Sequence, residues 1–135
     1  MKYFLLSTSV ILLISSFTFK FKNDEGKELY ETYCISCHQY EKQDNMVAPP
    51  VFALKDHYVR AYSDKGELKQ AMISFIVKPR EKNAHMPGAI RKFGLMPPMP
   101  LPEEDLSAIV DYIVDTEFKK PEWYDQHYKE EHGSN

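Results

Sequence analysis

The sequence predicts an all-α domain, and three observations carry that prediction. Two segments repeat apolar residues at helical spacing, and a third runs without a breaker behind an acidic cap. Each of them is bounded by an acidic cap, a glycine or a proline. No segment alternates apolar and polar residues as a half-buried strand would. With 135 residues, the chain fits one such domain.

The first helix is expected over 24–34, "DEGKELYETYC". Asp24 suits its N-cap, and Lys27 to Tyr33 holds no breaker. "EKQDNMVAPPVFAL" follows as a loop, because Pro49 and Pro50 exclude a regular helix there. A second helix is expected over about 64–77, with Leu68, Met72, Phe75 and Ile76 as its apolar stripe. Pro79 ends it. Residues 79–102 are rich in proline, glycine and methionine and read as a long connection, and connections of that length are usually functional or disordered. The last confident helix spans 102–118. Pro102 suits its first turn, Glu103, Glu104 and Asp105 suit the positive end of its dipole, and Leu106, Ile109, Val110 and Ile113 form its buried stripe. The tail, 119–135, is expected to dock briefly around Trp123 and Tyr124 and then fray.

The N-terminal segment has a different character. Lys2 precedes an almost uncharged run from Tyr3 to Phe19, the layout of a secretory signal. The run is also close to the roughly 17–25 residues that span a bilayer, and an A-x-A-like cleavage site is missing. Residues 1–20 therefore read as a signal peptide or an N-terminal membrane anchor. The expected location is periplasmic or exported, soluble or held to the membrane by residues 3–19. With 17 basic against 20 acidic residues and no concentrated basic patch, the chain does not favour nucleic acid.

The two cysteines, Cys34 and Cys37, stand in "CISCH". In an exported protein, thiols become disulfides unless otherwise committed, but a bridge across two intervening residues would staple little of the fold. Three chemistries use this pattern: a redox thiol pair, half of a zinc site, or attachment of a c-type haem. A redox pair usually opens a helix that follows a strand; here a helix precedes it. A tetrahedral zinc site needs four ligands, and no second cysteine pair exists. Haem attachment has a physical logic at this spacing. Two thiols one helical turn apart can each form a thioether, and the adjacent His38 then lies under the iron.

Further residues then resemble a known family, the small class I cytochromes c of bacteria. "MPPMPLPEEDLSAIVDY", from Met96 to Tyr112, is similar to the family's methionine loop, acidic helix start and aromatic. Gly26, Tyr30 and Cys34 match its G-x-x-x-(F/Y)-x-x-x-C series. "APPVFAL" occupies the place of its Gly-Pro-x-Leu segment, although Ala48 stands where glycine is usual. The resemblance covers roughly residues 24–116, within a domain over 21–118.

The resemblance implies a cytochrome c-like fold of three or more helices around one covalent haem c, with Cys34 and Cys37 as thioether anchors. His38 and Met96 would be the axial iron ligands, and the Pro49 carbonyl would accept a hydrogen bond from His38. Met99, Met86, His85 and His57 are the rival ligands; otherwise His57, His85, His127 and His132 are read as solvent-facing. Phe52, Leu54, Phe75, Ile90, Phe93 and Leu95 are expected to pack on the haem, and Gly26 to let the first helix cross the last closely. The implied function is periplasmic electron transfer with redox proteins such as a dehydrogenase, an oxidase or another respiratory complex. The competing readings are a small-ligand sensor haem, a cytochrome subunit of a larger redox enzyme, and a haem-free thiol oxidoreductase.

Overall fold

The structure, a computed structural model, describes residues 24–41 and 44–133. The signal or anchor read into residues 1–20 lies outside them. Among the described residues there are six α-helices, one short 3-10 turn and no strand. This is the all-helical architecture that the sequence predicts.

The first helix, α1, is described over 24–33. Its inward face is Gly26 and Tyr30, four residues apart and both buried. The second, α2 (Val51–Ala61), stands where the sequence reads as a loop. Pro49 and Pro50 do not break it, because they precede it. Pro50 is its N-cap with φ −66°, and its carbonyl accepts from the amides of Ala53 and Leu54 at 3.0 and 3.2 Å. A proline at a helix entrance loses an amide that would have no intrahelical partner anyway.

α3 (Lys65–Val77) is capped by Asp64, whose carboxylate accepts from the Glu67 amide at 2.8 Å. Leu68 and Met72 are its buried residues. The segment expected as an irregular connection holds the 3-10 turn Glu81–Asn83 and α4 (Pro87–Phe93), which Pro87 opens and Gly94 closes at φ +84°. α5 (Glu103–Asp115) begins one residue later than expected, with Pro102 as its N-cap, and buries Leu106, Ile109, Val110, Tyr112 and Ile113. The tail does not simply fray: α6 covers Tyr124–His132.

α3 and α5 pack together, and α2 packs on both. Lys65 pairs with Asp115, and Lys69 with Asp111, along the seam between α3 and α5. Lys55 of α2 donates to the Thr116 carbonyl at 2.8 Å, just past the end of α5. α1 crosses α5 with almost no clearance. A Cβ on Gly26 would sit 2.3 Å from the Ala108 carbonyl oxygen and 2.9 Å from the Tyr112 Cβ. A helical glycine costs about 1 kcal/mol against alanine, and this approach is what that cost permits.

Phe52 requires a correction. It is fully buried, but it packs with Ala53 and Tyr124, its ring edge-to-face with Tyr124 at 4.8 Å. It does not line the cavity described below. The helix beginning at Val51 turns Leu54 and Tyr58, one turn apart, toward the cavity and Phe52 toward α6. Phe52→Leu removes ring volume and the edge-to-face contact, and is therefore expected to cost about 1–2 kcal/mol. Urea unfolding measures that cost, and an unchanged midpoint would contradict the buried placement.

Candidate functional site

α1 does not stop at residue 33 so much as run into the motif. The Cys34 amide donates to the Tyr30 carbonyl at 2.8 Å, and the His38 amide to the Cys34 carbonyl at 2.8 Å. This single extra turn sets the two thiols one turn apart and brings His38 round beside them. Tyr30 reinforces the turn, its hydroxyl donating to the His38 carbonyl.

Cys34 is half-buried, Cys37 is exposed, and the two are not joined in a disulfide. Burial, with Cys37 nearby, pushes the Cys34 thiol up to about 11. A dithiol oxidoreductase needs the opposite, a thiol lowered so that thiolate attacks. No cluster of three or more His, Cys, Asp or Glu able to hold a metal occurs among the described residues. Neither of the rival chemistries of "CISCH" gains support.

The His38 ring is fixed from its other side. Its Nδ1–H donates to the Pro49 carbonyl at 2.8 Å. Val51 helps hold that carbonyl in place, its amide donating to the Gln39 carbonyl at 3.0 Å. With the proton on Nδ1, the Nε2 lone pair is free for a metal. Burial lowers the His38 pKa, partly opposed by the Pro49 bond, and so keeps the imidazole neutral.

His38, Cys34 and Cys37 line one cavity, with about 1320 Å³ of unfilled space counting its open mouth. Tyr58 and Leu54 come from α2, and Met72, Phe75 and Ile76 from α3. Ile90 and Phe93 come from α4, Leu95, Met96 and Met99 from the following loop, and Leu106, Ile109 and Ile113 from α5. No Lys, Arg, Asp or Glu is among these lining residues. An apolar cavity of this volume with two thiols and a neutral imidazole fits a haem in size and chemistry. Cys34 and Cys37 would hold its edge, and His38 its iron.

Of the residues named from the sequence, Cys34, Cys37, His38, Pro49, Phe93, Leu95 and Met96 meet at this cavity, and Phe52 does not. Met99 lines it too, its amide tied to the Ile76 carbonyl at 2.9 Å. His57 lies elsewhere, its Nδ1 donating to the Ala53 carbonyl at 2.8 Å and its ring against Tyr128. His85, read as solvent-facing, is half-buried in the cavity wall beside Tyr58. Tyr58 was missed altogether. Its signal was available, since Leu54 and Tyr58 share a helical face once a helix is allowed to start after Pro50.

A family model described as Cytochrome c matches residues 23–117. The chain belongs to the cytochrome c family. Comparison with curated proteins and with solved structures gives no significant match. Family membership brings a covalently bound haem c and haem-based electron transfer, and members are electron carriers rather than enzymes in themselves. Within this cytochrome, the family match ends just before Phe118, and α6 lies beyond it.

Proposed function

We propose that this cytochrome is an exported one-electron carrier holding a single haem c, with His38 and Met96 as the axial ligands of its iron. The observation that supports this reading is the shared cavity. Two thiols, a neutral imidazole with a fixed tautomer and a thioether sulfur line the same apolar space.

When bound, the haem supplies a one-electron couple at iron. The chain supplies everything else. Cys34 and Cys37 would anchor the macrocycle and His38 would ligate through Nε2, while the Pro49 carbonyl keeps that ring oriented. Met96, which lines the same cavity, would supply the second protein ligand, and an iron so ligated would be suited to outer-sphere transfer. A thioether ligand and an apolar wall would both disfavour the extra charge of Fe(III) and so would raise the midpoint potential, which is expected to be positive. Pro97 and Pro98 stiffen the ligand loop and limit its movement when the iron changes charge.

Export rests on Lys2 followed by the apolar run from Tyr3 to Phe19. Retained, that run would tether the carrier to the membrane. Its partners would be respiratory redox proteins, met through small, transient, charge-steered contacts. Haem staining of membrane and soluble fractions tests attachment and tethering together.

Met96→Ala is expected to abolish the weak far-red band that methionine gives with ferric haem. It should lower the potential by on the order of 0.1 V, a modest part of the roughly 0.8 V range that axial ligands command. Met99→Leu should keep the band. The reverse pattern would make Met99 the ligand.

A further inference from the structure

The cavity wall is nearly all carbon and sulfur, so its few nitrogen and oxygen atoms are informative. Tyr30 spends its hydroxyl on the His38 carbonyl, and His38 spends Nδ1 on Pro49. Tyr33 stands at the mouth, 39% exposed, beside Cys34. What is left is one cluster formed by Tyr58 and His85. Their rings are 4.8 Å apart, and His85 Nε2 lies 3.0 Å from the Tyr62 hydroxyl.

A haem is polar along one edge only, where it carries two propionate carboxylates. Buried without donors, a carboxylate costs several kcal/mol on general grounds. With no lysine or arginine among the described residues of the wall, the donors it offers are neutral. Resting on the haem reading above, we propose that His85 and Tyr58 form the propionate-binding site of this cytochrome, with Tyr62 as a positioning residue. The Tyr62 hydroxyl donates to His85 Nε2, which leaves the proton on Nδ1. His85 Nδ1–H and the Tyr58 hydroxyl are then the donors to the carboxylate.

This role differs from that of an iron ligand, the other use open to a histidine in the wall. It also differs from that of a packing residue, because it acts on the carboxylate and not on the macrocycle.

The test uses the full-length cytochrome with its haem attached, and the variants His85→Ala, His85→Gln and Tyr62→Phe. Resonance Raman spectra read the propionate bending mode and the axial-ligand-sensitive modes separately, alongside the midpoint potential. In His85→Ala the propionate mode is expected to move and the potential to fall, with the ligand-sensitive modes unchanged. His85→Gln, which keeps a donor, should restore most of both. Tyr62→Phe removes one hydroxyl with little change in packing and should move the propionate mode part of the way; it carries the test if His85→Ala fails to mature. An unmoved propionate mode in His85→Gln, Tyr62→Phe and His85→Ala alike overturns the proposal. So does a change in the ligand modes, which would make His85 an iron ligand. Failure of the haem reading looks different: the native protein would carry no attached haem.

Discussion

Replacing Cys34 and Cys37 together by alanine is expected to leave a protein that carries no haem through a denaturing gel. The apolar cavity would persist in outline, and His38 would still be present, but the covalent hold would be gone. A coordinate bond and apolar contact give a reversible complex, whereas a thioether does not dissociate. The single variant Cys37→Ala should keep one thioether, give a lower yield of holoprotein, and shift the reduced absorption band to longer wavelength, because one vinyl group stays conjugated with the ring. Haem staining and intact mass measure the first outcome, and a visible spectrum the second. Covalent haem in the double variant would mean that the thiols of "CISCH" are not the attachment points.

The second large effect is expected far from the thiols. Gly26→Val should destabilise the fold by roughly 3 kcal/mol or more, at the top of the range for overpacking. The first added carbon alone would lie 2.3 Å from the Ala108 carbonyl oxygen, a backbone atom that cannot rotate away. The two γ-carbons of valine add to a clash already beyond relief by side-chain movement. α1 and α5 must then separate, and Tyr30 loses its packing on Tyr112, where the rings lie 5.6 Å apart. Gly26→Ala removes the helix penalty of glycine, worth about 1 kcal/mol, yet meets the same backbone oxygen, so it should still destabilise. Urea unfolding of the three proteins would show the order Gly, Ala, Val in falling midpoint. Equal midpoints would mean that α1 and α5 do not cross at Gly26.

How much of this could be read from the sequence depended on how local each feature is. Helices α3 and α5 combine apolar periodicity with caps, and α1 runs without a breaker behind an acidic cap, so they were visible. α2 was hidden by Pro49 and Pro50, which break a helix from inside but not from its entrance. α4 has seven residues, too few for a period to establish itself among prolines and glycines. α6 is polar along most of its length and is docked by tertiary contacts, Tyr124 on Phe52 and Tyr128 on His57.

The site divides along the same line. Cys34, Cys37 and His38 occupy one turn, and one turn is what a motif can encode. Pro49 followed from the family resemblance, and its carbonyl does receive the His38 ring. Phe52 was assigned to the wrong side because its helix was not seen. Tyr58 and His85 are 27 positions apart in the chain and touch only after α2 and the segment before α4 close on each other. Nothing local announces such a pair.

The contact between Tyr124 and Phe52 also bears on where the protein can safely be cut. The family match ends at residue 117, seven positions before the ring that covers Phe52. A chain trimmed to the matched length would turn that phenylalanine out to water beside Ala53, leaving an apolar scar on the surface of α2. Local openings of such a face are where proteases enter. The smallest fragment that survives digestion should therefore run past the family boundary, through Tyr124 at least.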